Sequence, residues 1–168
     1  MILVGHSWGG FVITEAGTDQ HVKALVYIAA FAPDKGETAG SLAESAAPTI
    51  LGGFVQNANG YLTLSREGVA KGFAGDLSPK EQDVVYAVQQ PASKSVFGDV
   101  GVNAAWRTKP SWYVVASEDN AINPELEKRM AERAKAKTTV QKSSHVAMFS
   151  KPNEVLDVIL DAATSVSK

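Results

Sequence analysis

Gly5-His6-Ser7-Trp8-Gly9 decides how this chain is read. The pentapeptide fits Gly-x-Ser-x-Gly, and its flanks matter as much as the pattern. The apolar run Ile2-Leu3-Val4 leads in, and Gly10-Phe11-Val12-Ile13-Thr14-Glu15-Ala16 leads out with a helix-compatible pattern. A strand, a very tight turn and a helix in that order put Ser7 at the turn apex in a strained conformation, a nucleophile elbow. Gly5 and Gly9 lack a Cβ, so strand and helix are expected to approach closely around them. The start of the helix then lies beneath the serine hydroxyl, where its free N–H groups favour developing negative charge.

Working outward, Val22 to Phe31 reads as a strand buried on both faces, because Ala24-Leu25-Val26-Tyr27-Ile28-Ala29-Ala30 carries no charge. Two apolar strands joined by a helix form a parallel pair. Pro33-Asp34-Lys35-Gly36 ends the second strand, and no strong strand pattern returns before Pro110. The intervening stretch holds short helix-like pieces, the clearest at Ser78-Pro79-Lys80-Glu81, with Ser at the N-cap, Pro at N1 and an acid at N3. A segment of this kind between two sheet strands is expected to be a helical cap over one end of the sheet. Its apolar side chains, among them Leu51, Phe54, Tyr61, Leu62, Phe73 and Tyr86, either line a pocket or pack the cap onto the sheet.

Ser111-Trp112-Tyr113-Val114-Val115-Ala116-Ser117 is a third buried strand and stops at Glu118-Asp119-Asn120. Asn123-Pro124-Glu125 starts a helix. Thr138-Thr139-Val140-Gln141 is a short fourth strand, Ser143-Ser144-His145 follows it in a loop, and an amphipathic helix from Pro152 closes the chain. The fold class is therefore α/β: about four parallel strands flanked by helices, with a helical cap between the second and third strands. It is one domain over 1–168, with a core of 1–33 and 108–168 and a cap at about 34–107.

Composition narrows the chemistry. The 168 residues suffice for one sizeable core; 45% are hydrophobic and 20% charged, as in ordinary globular proteins. A net charge of −2 without a block of like charge points away from nucleic acid. The absence of cysteine removes disulfides and thiolate chemistry. The three histidines, 6, 21 and 145, are not spaced as metal ligands, so neither a metal nor a cofactor is expected. The longest apolar run, Ala24 to Pro33, is too short for a membrane span. No charged and apolar leader opens the sequence, so a cytoplasmic location is expected.

Reactive groups gather at the carboxyl ends of strands in open α/β sheets. Here those ends carry Ser7, then Glu118-Asp119, then His145. A serine hydroxyl needs a base to take its proton, an imidazole does this near neutral pH, and a carboxylate fixes the imidazole tautomer. The roles follow as nucleophile Ser7, base His145 and orienting acid Asp119. Glu118 competes with Asp119, since a one-residue shift exchanges them. One oxyanion donor is the backbone N–H of Trp8. His6 is expected to shape the turn or the pocket floor, His21 to be solvated, and Asp157 and Asp161 to form the wet face of the last helix. The expected pocket draws on His6, Trp8, Phe31, Phe54, Tyr61, Phe73 and Val146.

Val4-Gly5-His6-Ser7-Trp8-Gly9-Gly10, Ser111 to Val115 with Glu118 to Ile122, and Ser144-His145-Val146-Ala147-Met148 together resemble α/β-hydrolase-fold proteins. The nearest branch resembles bacterial relatives of the plant methylesterase and hydroxynitrile lyase group. The resemblance implies the same triad, Ser7, Asp119 and His145. It also implies that the chain matches the later part of that fold, a truncated α/β-hydrolase lacking the N-terminal half-sheet whose loop supplies the second oxyanion donor. The elbow strand would then be an apolar edge, and a homodimer covering it is expected. The expected activity is cleavage of small carboxylic esters, carboxylesterase- or lipase-like, through an acyl-enzyme. The alternatives are cyanohydrin, thioester or amide chemistry on the same triad, or a catalytically impaired protein that binds a ligand or partner.

Overall fold

A computed structural model describes residues 1–166. Strand β1 (Ile2–Ser7) runs into helix α1 (Gly9–Ala16) and back through β2 (Ala24–Ala30). The cap follows with α2 (Ala39–Glu44), β3 (Val55–Ala58), β4 (Tyr61–Leu64), the single turn α3 (Arg66–Gly68), a π-helical turn at Val69–Phe73, α4 (Pro79–Val88) and β5 (Ala92–Ser93). The chain re-enters the core with β6 (Ser111–Ala116), α5 (Pro124–Arg133), β7 (Lys137–Gln141), α6 (Ala147–Ser150) and α7 (Pro152–Ser165). The main sheet is parallel, in the order β1-β2-β6-β7.

Its two faces are apolar because successive strand residues point to opposite sides. Leu25, Tyr27, Tyr113 and Val115 meet Phe11 and Ile13 of α1 and Leu126 and Met130 of α5. Ala24, Val26, Ile28, Trp112 and Val114 meet Val155, Val158 and Ala162 of α7. Every residue of β2 and β6 is buried, which explains their unbroken apolar sequence. Strand β1 lies at an edge, and its Val4 is 41% exposed.

The cap departs from the purely helical expectation. It contains a three-stranded antiparallel sheet, β3-β4-β5. Asn59 and Gly60 turn the β3–β4 hairpin with φ of 52° and 84°, the positive values that a type I′ turn requires at both central residues. The sequence disguised the strands because all four residues of β3 are exposed and show no apolar alternation. The helix start at Ser78 is as expected: its hydroxyl accepts from the Glu81 N–H, and Glu81 accepts from the Ser78 N–H. Asp161 also departs from expectation. It accepts from the Trp112 indole and from Lys137, tying α7 to β6 and β7 rather than facing only water.

The close approach at the elbow falls on Gly5 and Gly10, not on Gly5 and Gly9. A Cβ on Gly5 would lie 2.5 Å from the Gly9 carbonyl oxygen, and one on Gly10 would lie 2.2 Å from that of Phe31. A Cβ on Gly9 would meet nothing within 4 Å. Helix α1 therefore rests on the backbone following β2. Gly10→Ala is expected to cost about 3 kcal/mol in urea unfolding, whereas Gly9→Ala should change stability by less than about 1 kcal/mol. Equal effects would show that the contact does not constrain the turn.

Candidate active site

Ser7 ends β1 with φ 53°, in the left-handed region, and Trp8 caps α1 directly behind it. The pairing of β1 with β2 slips here: His6 faces Ile28 but Ser7 faces Ala30. The skipped residue, Ala29, is itself left-handed at φ 42°. The Phe31 N–H then donates to the Ser7 carbonyl at 3.1 Å, closing the turn. The Ser7 hydroxyl has no hydrogen-bond partner among the described residues and borders a cavity of about 380 Å³. The N–H groups of Trp8, Gly9 and Gly10 lack intrahelical acceptors, as at any helix start, while those of Phe11 and Val12 donate to the Trp8 carbonyl.

His145 borders the same cavity. Its Nδ1 lies 2.6 Å from Asp119 Oδ2, and both side chains are almost wholly buried. A carboxylate only accepts, so Nδ1 carries the proton, and Nε2 has no partner among the described residues. Asp119 Oδ1 accepts from the N–H groups of Ala121 at 2.6 Å and Ile122 at 3.0 Å. Burial by itself would raise the Asp119 carboxyl; His145 and these donors outweigh it and hold the carboxyl below its usual range. Glu118 instead sits half-exposed, 3.6 Å from Lys142. The structure thus separates the two acids: Asp119 meets His145, and Glu118 faces solvent.

The loop carrying His145 is held from two sides. Asp76 of the cap accepts the Ser144 N–H at 2.9 Å. His6 Nε2 donates to the His145 carbonyl at 2.8 Å, and the two imidazole rings lie 4.6 Å apart. Burial, reinforced by proximity to His145, lowers the His6 pKa to about 3.

The cavity lining is largely apolar and is shared between core and cap, with Phe31 and Ile122 from the core and Leu51, Val69 and Phe73 from the cap. The Phe73 ring lies 4.9 Å from that of His145. Of the expected pocket residues, Phe31 and Phe73 line the cavity, while five others do not. His6 supports the His145 loop. Trp8 turns its indole away to donate to the Val96 carbonyl at 3.0 Å. Phe54 packs against Gly68, Tyr61 is 55% exposed on the hairpin, and Val146 is buried with Val69, Ala74 and Leu77. His21 is exposed and pairs with Asp19. Among the described residues no cluster of His, Asp or Glu is arranged to hold a metal ion, and no helix is long and apolar enough to cross a membrane.

Sequence reasoning missed Glu127 and the Asp76 anchor. Glu127 is fully buried on α5, where its carboxyl interacts with that of Asp119. Its signal was present: it precedes Ala131 by four residues and Ala134 by seven, on a face that is otherwise small and apolar. Asp76 carried no such signal, since only the folded cap brings it to Ser144.

A parallel sheet with a left-handed serine at its first turn and a carboxylate-bound histidine at its last is the architecture of an α/β hydrolase. The model of the α/β hydrolase family matches residues 2–158, and the chain belongs to that family. It is 25% identical over 175 residues to the α/β hydrolase nvfD of Aspergillus novofumigatus, covering 97% of this chain and 70% of that protein. Among solved structures, polyneuridine aldehyde esterase superposes with a TM-score of 0.80 at 20% identity, covering 97% of this chain and 71% of that one. A pyrethroid hydrolase from Sphingobium faniae gives 0.78 at 23%, covering 97% and 70%. A methylesterase from Arabidopsis gives 0.73 at 22%, covering 98% and 69%.

The His6 environment makes a pH prediction. The folded state excludes a proton that the unfolded imidazole binds below its ordinary pKa of 6.5. Stability should therefore fall as pH drops from about 6.5 towards 3, by up to about 1.4 kcal/mol per pH unit from this residue. His6→Gln, which keeps a donor for the His145 carbonyl, should remove that slope in urea unfolding at pH 7 and pH 4.5. An unchanged slope would place the proton-linked loss elsewhere.

Proposed function

We propose that this chain is a serine hydrolase that cleaves carboxylic esters of small, largely apolar molecules. The observation carrying this reading is that Ser7, unpartnered and left-handed, shares one apolar cavity with an imidazole whose other nitrogen is bound by a buried carboxylate. His145 Nε2 takes the hydroxyl proton as Ser7 Oγ attacks the ester carbonyl carbon. The carbonyl oxygen becomes an oxyanion facing the Trp8 N–H and the start of α1. Collapse of the intermediate breaks the bond to the alcohol oxygen, which receives the proton from His145. Water, deprotonated by the same nitrogen, then attacks the acyl-enzyme, releases the acid and restores Ser7. Asp119 stabilises the imidazolium in both steps without taking its proton.

The names of the similar structures, an esterase, a pyrethroid hydrolase and a methylesterase, support ester hydrolysis over other chemistry on the same groups. The cavity supports an uncharged substrate, since among the described residues it presents no lysine, arginine or carboxylate to balance a charge. Ser7→Ala should lower kcat on a p-nitrophenyl ester by about 10⁴-fold or more and abolish labelling by a fluorophosphonate. Asp119→Asn should cost a similar factor in kcat, while Glu118→Gln should stay within about twofold of the parent. Turnover retained in Ser7→Ala would remove Ser7 from the mechanism. No labelling of the folded parent would favour ligand binding without turnover.

A further inference from the structure

Glu127 is a buried acid that the mechanism above does not use. It lies on α5 with no exposed surface and, among the described residues, forms no ion pair. One carboxyl oxygen, Oε2, accepts the Ala116 N–H at 3.0 Å. The other, Oε1, receives no N–H or O–H donor among the described residues. The side chain with which this carboxyl interacts is the Asp119 carboxylate. Two carboxylates that interact in a dry site do not both ionise; one proton between them satisfies both. Asp119 already accepts from Ala121, Ile122 and His145, whereas among the described residues Glu127 accepts only from Ala116. The proton therefore belongs to Glu127.

We propose that Glu127 is a positioning residue that stays protonated at neutral pH and donates from Oε1 to the carboxylate of Asp119, fixing the plane in which that carboxylate holds His145. The proposal rests on the reading of Asp119 as the orienting acid. The surroundings agree with it. Burial pushes the Glu127 carboxyl up, the charge of Asp119 pushes it further, and only the Ala116 N–H opposes them. The other titratable group facing it is Tyr113 of β6, whose hydroxyl donates to the Ala30 carbonyl and whose phenol burial also raises. The remaining charged side chains of α5 are not buried, and His145 lies beyond Asp119. A neutral Glu127 leaves one negative charge in the buried cluster, matched to the one imidazolium formed in the transition state. An ionised Glu127 would add a second charge, and the proton would be held too tightly on His145 to be returned to the leaving group.

The test has arms that do not depend on turnover. Difference infrared spectra at pH 8 should show a protonated-carboxyl C=O stretch in the parent that Glu127→Gln removes. In urea unfolding from pH 5 to pH 8, Glu127→Gln should gain on the parent by about tenfold in the folding equilibrium constant per pH unit. The sign follows from linkage: the parent's folded state keeps a proton that its unfolded state releases above about pH 4.3, so stability from the protonated acid is lost as pH rises. Glu127→Gln, which retains both a donor and an acceptor, should keep kcat/KM within about threefold and leave the acidic limb of its pH profile in place. Glu127→Met should lower kcat by about tenfold or more with KM little changed, because the carboxylate is then free to turn. A missing infrared band, or a stability difference constant with pH, overturns the proposal, as does parent-like kcat in folded Glu127→Met. Should Glu127→Met not fold, the spectra and the stability slope still decide where the proton lies. Failure of the esterase reading itself would show as turnover surviving Ser7→Ala, which leaves those two measurements unaffected.

Discussion

The site depends on one close contact: helix α1 lies against the chain leaving β2, with no side chain between them. Gly10 makes this possible, since a methyl group there would overlap the Phe31 carbonyl. With helix and strand so near, the turn between β1 and α1 has room for one conformation, and Ser7 takes the left-handed one. Such a residue costs about 1–2 kcal/mol, and Ala29 across the strand pair bears a similar cost. The cost is offset by the full burial of β2, by the Phe31–Ser7 hydrogen bond, and by the Tyr113 hydroxyl, which donates to the Ala30 carbonyl beside the slip. The strain has a consequence for chemistry: it leaves the serine hydroxyl unpaired at the cavity.

A parallel sheet carries its strand ends to one rim, so the polar residues that finish β1, β6 and β7 collect there without any contact designed to gather them. Collecting them also buries them, and a buried carboxylate is expensive unless donors surround it. Asp119 meets that condition with two backbone N–H groups and an imidazole. Both amides belong to the last two of the three residues between the acid and the N-cap of α5, so the chain that ends the strand also solvates the charge. Glu118 lacks such donors and remains in water, where it is free to pair with Lys142. Burial, not residue type, separates the two acids.

Much of this was legible. The elbow, the buried strands and the helix starts at Ser78 and Asn123 are local: glycine spacing, apolar runs and capping residues fix them within a few positions. The order of serine, acid and histidine followed from those elements. The β3–β4 hairpin was also written locally, in Asn59-Gly60, but its exposed strands lacked the alternation that supports such a reading. The pocket was not legible, because its lining depends on how the cap folds over the sheet. Tyr61 and Phe54, apolar and nearby in sequence, go to the hairpin surface and to the packing against Gly68. Val55 and Val69 take their places beside Leu51 and Leu62. Gly9 and Gly10 show the same limit at a finer scale: adjacent glycines, equivalent in the pattern, differ because only one faces the chain leaving β2.

The cap is more than a cover for this sheet. If it only shaped the cavity, its sequence would govern substrate choice and leave the chemistry to the core. Two contacts argue otherwise. Asp76 accepts the N–H of Ser144, one residue before the histidine, and the Phe73 ring meets the imidazole itself. Phe73 ends the π-helical turn that begins at Val69, a wide turn of the kind that re-aims side chains near functional sites. The cap therefore sets the position of His145 from one side while Asp119 sets it from the other. A change in the cap that widens the cavity also removes contacts from the imidazole, so under the proposed mechanism specificity and rate would be coupled through the same few residues.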